Sequence, residues 1–177
     1  MPRHIALLRA VNLGPRNRVK MGELRAVLEG AGYEDVRTLL QSGNVVLSSG
    51  KEPDAVAREM EQLIESELGV KTDVIVRSRD ELASAIARNL IAEADEQPKR
   101  LQVSFLAGEP PAAAVERIAA MDVAPERFEL RGREAYAWHP DGIQRSKLAR
   151  AVGDGLGVSA TARNWNTVKK LLELADE

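Results

Sequence analysis

The sequence predicts an α+β fold made of two successive βαββαβ halves and a closing helix. Three observations carry this expectation. Short apolar runs and helical stripes follow the order βαββαβ through residues 3–77, and the same order returns from residue 101 to 162. In the first half, the strands that this order makes central are apolar, while those it puts at the edges carry charge, which blunts unwanted pairing. A βαββαβ order of this kind is the ferredoxin-like unit, with strands 1 and 3 in the middle of the sheet. Two tandem ferredoxin-like subdomains are therefore expected, 1–78 and 100–177, joined by a helix and linker at 79–99. The alternative is one α+β domain with an irregular second half.

The elements follow in order. Residues 3–9 hold Ile5, Ala6, Leu7 and Leu8 in one run, a central-strand pattern. A loop of Gly, Pro, Asn and basic residues spans 11–20. Met21, Leu24, Leu28 and Ala31 recur at helical spacing, and Gly32 stands where a glycine ends a helix. Strands at 35–40 and 44–49 flank Gln41-Ser42-Gly43-Asn44, a hairpin turn signal. Pro53 suits a first helical turn. Val56, Met60, Leu63, Ile64 and Leu68 form the stripe of that helix, which Gly69 ends. Residues 72–77 make the fourth strand, with Asp73 and Arg77 as edge charges alongside Arg37 of the second. Ser78 and Glu81 form a capping box, opening a helix through Leu82, Ile86 and Leu90.

Residues 91–99 are polar and contain Pro98, the composition of a linker. A strand at 101–106 alternates Leu101, Val103 and Phe105. A helix follows Pro110-Pro111, and strands at 127–131 and 134–138 flank Arg131-Gly132-Arg133. His139-Pro140-Asp141-Gly142 reads as a turn, and Ser146 as the cap of a helix marked by Leu148, Val152 and Leu156. Residues 158–162 form a short last strand. The final helix, 165–175, aligns Trp165, Val168, Leu171, Leu172 and Ala175, with Asn164 as its cap and Thr167 at its third position.

Composition narrows the chemistry. The chain has 177 residues, 44% apolar and 29% charged, an ordinary globular balance. It has no cysteine, which excludes disulfides, thiolate catalysis and iron–sulfur clusters. With two histidines and no carboxylate cluster at ligand spacing, no metal site is expected. No cofactor is expected either, and the phosphate-loop motif G-x-x-x-x-G-K is absent. No apolar run reaches membrane-spanning length, and no signal peptide is evident, so a cytoplasmic location is expected. Ser42 and Ser146 show no paired histidine in the sequence, so the sequence names no catalytic residue.

The net charge of −2 hides a segregation. Residues 1–20 carry five basic side chains and no acid; residues 143–170 carry six against Asp154 alone. The middle of the chain is acidic. Basic segments attract anions and speed their capture. Arg9, Asn12, Lys20, Lys147, Arg163 and Asn164 lie in these segments and Gln41 and Asn44 in the hairpin turn, all at expected element ends or in loops, where guanidinium and amide groups suit phosphate. Trp165 reads as a core anchor. RNA recognition on a ferredoxin-like sheet uses aromatic residues on the central strands. The first sheet has none there, and the chain is 3% aromatic, which argues against that mode.

Three blocks of the sequence resemble an uncharacterised bacterial family, domain-of-unknown-function family 1697. They are LLRAVNLG with VKMGELRAVLE (7–29), VRTLLQSGNVVL (36–47), and RSKL with TARNWNTVKKL (145–171). The resemblance implies two ferredoxin-like units and supplies no activity. Two positions depart from the family pattern. Ala10 stands where a glycine is usual, and Pro15 where the second of two glycines is usual, and both changes stiffen the loop.

The leading functional expectation is a small protein that binds an anionic or phosphorylated ligand, such as a nucleotide, through its basic chain ends. Two alternatives remain open. One is an enzyme on such a ligand that uses Arg9, Lys147 and Arg163 as charge clamps. The other is an interaction module whose apolar sheet face docks a partner chain.

Overall fold

A computed structural model describes all 177 residues. The chain divides into two compact units, Met1–Ala83 with Leu171–Glu177, and Ser84–Lys170. Each holds one four-stranded antiparallel sheet, and six α-helices complete the α+β fold.

In the first unit the order is β1 (Arg3–Leu8), α1 (Met21–Gly30), β2 (Glu34–Leu39), β3 (Asn44–Ser48), α2 (Pro53–Leu68) and β4 (Val74–Ser78). The sheet order is β2-β3-β1-β4, so the two most apolar strands are central. Ala6 pairs with Val45 on one side and Val76 on the other, which puts the three on one face. With Leu8 and Leu47 they pack against Leu24 and Leu28 of α1 and Val56, Met60 and Ile64 of α2. Each such side chain contributes about 1.5–3 kcal/mol on burial. The opposite face is hidden as well: Ile5, Leu7, Val46 and Ile75 are all buried. Pro53 starts α2, and Gly69 ends it at φ 68°, with its N–H on the Glu65 carbonyl at 3.1 Å. The residues Leu171–Glu177 belong to this unit: Arg3 Nε donates to the Ala175 carbonyl at 3.2 Å, and Arg79 forks onto Asp176 at 2.7 and 3.1 Å.

The capping box is formed. Glu81 N–H donates to Ser78 Oγ at 3.1 Å, and Ser78 N–H donates to Glu81 Oε2 at 2.8 Å. They open α3 (Arg79–Ala87). This helix stops short of the expected Leu90, which is exposed. Two 3₁₀ turns, Ala92–Ala94 and Pro98–Arg100, fill the expected linker.

The second unit runs β5 (Leu101–Leu106), α4 (Ala112–Ala119), β6 (Arg127–Arg131), β7 (Glu134–Trp138), α5 (Lys147–Asp154) and β8 (Ala160–Asn164), then into α6 (Trp165–Asp176). Its sheet order is β6-β7-β5-β8. Leu106, Ala135, Ala137 and Ala160 pack with Ile118 of α4 and with Leu148 and Val152 of α5. On the other face Leu101, Val103, Phe105 and Tyr136 are buried, and Tyr136 Oη donates to the Ala85 carbonyl. Trp165 is also buried, its Nε1 donating to Asp95 Oδ1 at 3.1 Å.

Both last strands lie further along than their periodicity suggests: β8 by two residues at each end, β4 by two at its start and one at its end. Pairing with the central strand sets the register, with Leu8 opposite Val74 and Leu106 opposite Ala160. Each strand then runs directly into the cap of the next helix. Two expectations about charge are corrected as a result. Arg77 is not a solvated edge charge: it is 2% exposed on the buried face of β4, with Nη1 donating to the Val76 carbonyl at 3.3 Å. Arg163 is not a loop residue: it sits inside β8, opposite Val103.

Trp165 supplies the test of the second core. Trp165→Ala is expected to lower unfolding free energy by about 3–5 kcal/mol, read by urea denaturation. A ligand-binding defect with an unchanged midpoint would show a recognition role in place of a structural one.

Candidate functional site

The loop from Arg9 to Lys20 is the least ordinary backbone in the first unit. Ala10, Asn12 and Asn17 have φ of 54°, 57° and 55°, and across the adjoining hairpin Leu40 has 61°. Left-handed backbone costs an L-residue roughly 1–2 kcal/mol, so something must hold it. Asn12 does most of this. Its Nδ2 donates to the Val19 carbonyl at 2.8 Å and to the Gln41 carbonyl at 2.7 Å, and its Oδ1 accepts the Val19 N–H at 2.9 Å. Its own N–H donates to the Asn17 carbonyl at 3.0 Å. One amide therefore closes the loop and ties it to the hairpin. Val11 and Val19 anchor it in the core. Gly43, at φ 87°, allows the close approach: a Cβ there would stand 2.8 Å from both Leu8 Cβ and Val11 Cγ2.

The tied loop presents Arg16, Arg18 and Lys20 to solvent. Lys20 makes a long 3.9 Å pair with Glu23, and Arg18 Nη1 reaches the Gly14 carbonyl at 3.4 Å. Such exposed pairs are worth little, so the loop keeps its positive field. Arg9 is half-buried, and its carbonyl accepts from Thr72 Oγ1 at 2.6 Å. Gln41 is exposed. Asn44 is fully buried, and its Nδ2 donates to the Leu39 carbonyl at 2.8 Å and Ser42 Oγ at 2.9 Å, which braces the hairpin from within.

Arg9, Asn12, Lys20, Gln41 and Asn44 belong to the first unit, and Lys147, Arg163 and Asn164 to the second. Lys147 is exposed at the first turn of α5. Arg163 is buried, donating from Nη1 to Thr161 Oγ1 at 2.6 Å and to the Ala162 carbonyl at 2.9 Å. Desolvation pushes its guanidinium pKa down to about 10. Asn164 caps α6, its Oδ1 accepting the Thr167 N–H at 3.0 Å.

One cluster was missed. Ser146 does have a histidine partner: its Oγ lies 3.3 Å from Nδ1 of the buried His139. Glu126 Oε2 accepts from Ser146 Oγ at 2.6 Å and also meets His139 Nδ1. Ser146 Oγ in turn accepts the Ala149 N–H at 2.9 Å, so it caps α5. This is not a nucleophilic triad. Serine and carboxylate share one ring nitrogen, whereas a triad needs them on opposite ones. The only sequence signal was the seven-residue spacing from His139 across a turn to a helix cap.

The sequence matches the family model described as "Protein of unknown function (DUF1697)" over residues 1–136. The chain belongs to the DUF1697 family. Two of the three blocks that suggested this lie inside the match, and the third, 145–171, lies beyond it. No curated protein matches the chain. Among solved structures, this DUF1697 protein is similar in fold to the conserved bacterial protein SP0830 from Streptococcus pneumoniae. The identity is 18%, each chain is covered to 98%, and the TM-score is 0.75.

The left-handed backbone at Ala10 suits a glycine better than an alanine. Ala10→Gly is expected to stabilise the protein by about 0.5–1 kcal/mol, relieved strain outweighing the added chain entropy. A lower thermal midpoint in the variant would contradict this account of the loop.

Proposed function

We propose that this protein binds an anionic, phosphorylated small molecule on the Arg9–Lys20 loop. The observation that carries the reading is the pinned loop. Three residues in a costly conformation are held by the Asn12 amide, and the surface so fixed carries Arg16, Arg18 and Lys20. Strain that a fold maintains in this way is a feature of ligand sites, and a rigid cationic surface loses less entropy on binding than a flexible one. Gln41 adds an exposed amide beside the loop.

We also infer that each sheet with its helices is a ferredoxin-like unit and that the two arose by duplication. Matched registers support this. Ile5 pairs with Arg77 as Val103 pairs with Arg163, and each strand is followed at once by a capping residue, Ser78 or Asn164.

A second reading has one observation behind it. Leu13 and Leu40, on the two tied segments, are 82% and 56% exposed, which suits a protein partner.

The test is titration calorimetry with pyrophosphate and ATP at low and high salt. Affinity should fall as salt rises. A charge-assisted contact is worth about 1.5–3 kcal/mol, so Arg16→Glu with Arg18→Glu should weaken binding on the order of a hundredfold or more. Both residues are exposed, so the fold should be unchanged. Equal binding by wild type and double variant would remove the site. Loss of a protein partner on Leu13→Asp, without phosphate binding, would favour the second reading.

A further inference from the structure

The pinned loop of the first unit carries apolar side chains that its core does not use. Leu13 is 82% exposed and Leu40 is 56% exposed. They are the chain neighbours of Asn12 and Gln41, which the 2.7 Å bond from Asn12 Nδ2 to the Gln41 carbonyl holds together. Leu40 is fixed at φ 61°, and Asn12, just before Leu13, at 57°. Both leucines are thus displayed on stiff, adjoining segments at one end of the sheet. Pro15, exposed as well, extends the apolar tip.

Positive charge flanks this tip. Arg16 and Arg18 follow it in the loop, and Arg18 Nη1 reaches back to the Gly14 carbonyl at 3.4 Å, which sets a guanidinium against the backbone between Leu13 and Pro15. The lysines nearby are balanced. Lys20 meets Glu23 at 3.9 Å, and Lys71, brought to the loop by the Thr72 bond to the Arg9 carbonyl, is followed by Asp73. Arg16 and Arg18 are therefore the exposed surplus.

The geometry separates the partners that could meet such a surface. A free phosphate compound uses the arginines and leaves the leucines without a role. A stable protein interface needs about 800 Å² per partner and favours aromatic anchors, and residues 9–20 and 40–43 contain no aromatic. An anionic bilayer is flat, offers phosphate in an array, and has hydrocarbon just below it. Exposed leucines beside arginine match that layering, the apolar side chains dipping in while the guanidinium groups stay at the phosphates. The net charge of −2 is no obstacle. Only charges within a Debye length of the surface, about 10 Å, feel its field.

We infer that the Arg9–Lys20 loop docks the protein on an anionic phospholipid surface, with Leu13 and Leu40 entering the headgroup boundary and Arg16 and Arg18 on lipid phosphates. The inference rests on the phosphate reading of the loop and names the lipid headgroup as the source of that phosphate. The experiment is co-sedimentation of the full chain with vesicles of phosphatidylcholine alone and of phosphatidylcholine mixed with phosphatidylglycerol. Each unbalanced cation near an anionic surface raises affinity about fivefold, so the mixed vesicles should bind at least about tenfold more tightly, and less so at high salt. Leu13→Ser with Leu40→Ser changes no charge. It should cut vesicle binding at least about tenfold while leaving pyrophosphate binding in calorimetry unchanged. Arg16→Glu with Arg18→Glu should lose both. Leu13→Trp should shift its emission to the blue on mixed vesicles only. All these positions are exposed, so circular dichroism should show an unchanged fold. Equal binding to the two vesicles, no vesicle binding, or full vesicle binding by the serine variant would each overturn the inference. Pyrophosphate binding without vesicle binding would overturn it alone and leave the phosphate reading standing. A protein partner lost on Leu13→Asp, with no vesicle binding, would give the leucines to that partner instead.

Discussion

A four-stranded sheet with both faces buried leaves few places for polar groups, and this chain builds two such sheets. The central strands β1, β3, β5 and β7 carry almost nothing exposed. A polar side chain that falls inside must then find its partners within the fold. Asn44 is held by its own hairpin, Arg163 by Thr161 and the Ala162 carbonyl, and Tyr136 by the Ala85 carbonyl. Burying such groups without partners costs several kcal/mol, so these bonds are conditions of the fold as much as contributions to it.

The same constraint moves chemistry to the margins. With both sheet faces closed, ligands have access only where strands end and where helices stand off the sheet. The Arg9–Lys20 loop is the first kind of place. It leaves β1, crosses the β2–β3 hairpin, and takes its shape from a single asparagine. The gap between α5 and the sheet of the second unit is the second kind, lined by small residues such as Ala137, Ala160 and Gly153. The two differ in physics. One offers exposed positive charge on fixed backbone, the other a small, mostly apolar gap.

Much of the fold was legible in the sequence because its signals are local. The strands 101–106, 127–131 and 134–138 match their apolar patterns to the residue, and Ser78–Glu81 and Asn164–Thr167 cap as their spacing implies. What was hidden depends on pairing. The last strand of each sheet slid along the chain, β8 by two residues and β4 by one to two, because registry with the central strand outweighs local hydrophobicity. That slide took Arg163 out of its expected loop, while Arg77 proved buried on a strand read as a charged edge. Of the candidate site, the loop and its basic residues were visible as composition. The role of Asn12 was not, since it depends on a left-handed backbone and a contact with Gln41 that no pattern announces. The Glu126–His139–Ser146 cluster was hidden for a similar reason: its members come from three separate places in the sequence.

The seven residues Leu171–Glu177 belong to the first unit although the whole second unit precedes them in the chain. They accept from Arg3, Arg37 and Arg79, the first of which lies at the very start of β1. Synthesis runs from the N-terminus, and domains generally fold in that order as they emerge. Here the first unit waits on the last. While the ribosome builds residues 84–170, the early sheet lacks part of its complement of acceptors, and it is finished only after its successor has been made. Order of manufacture and order of completion are thus reversed, and a chain cut anywhere before Leu171 would leave its oldest part incomplete.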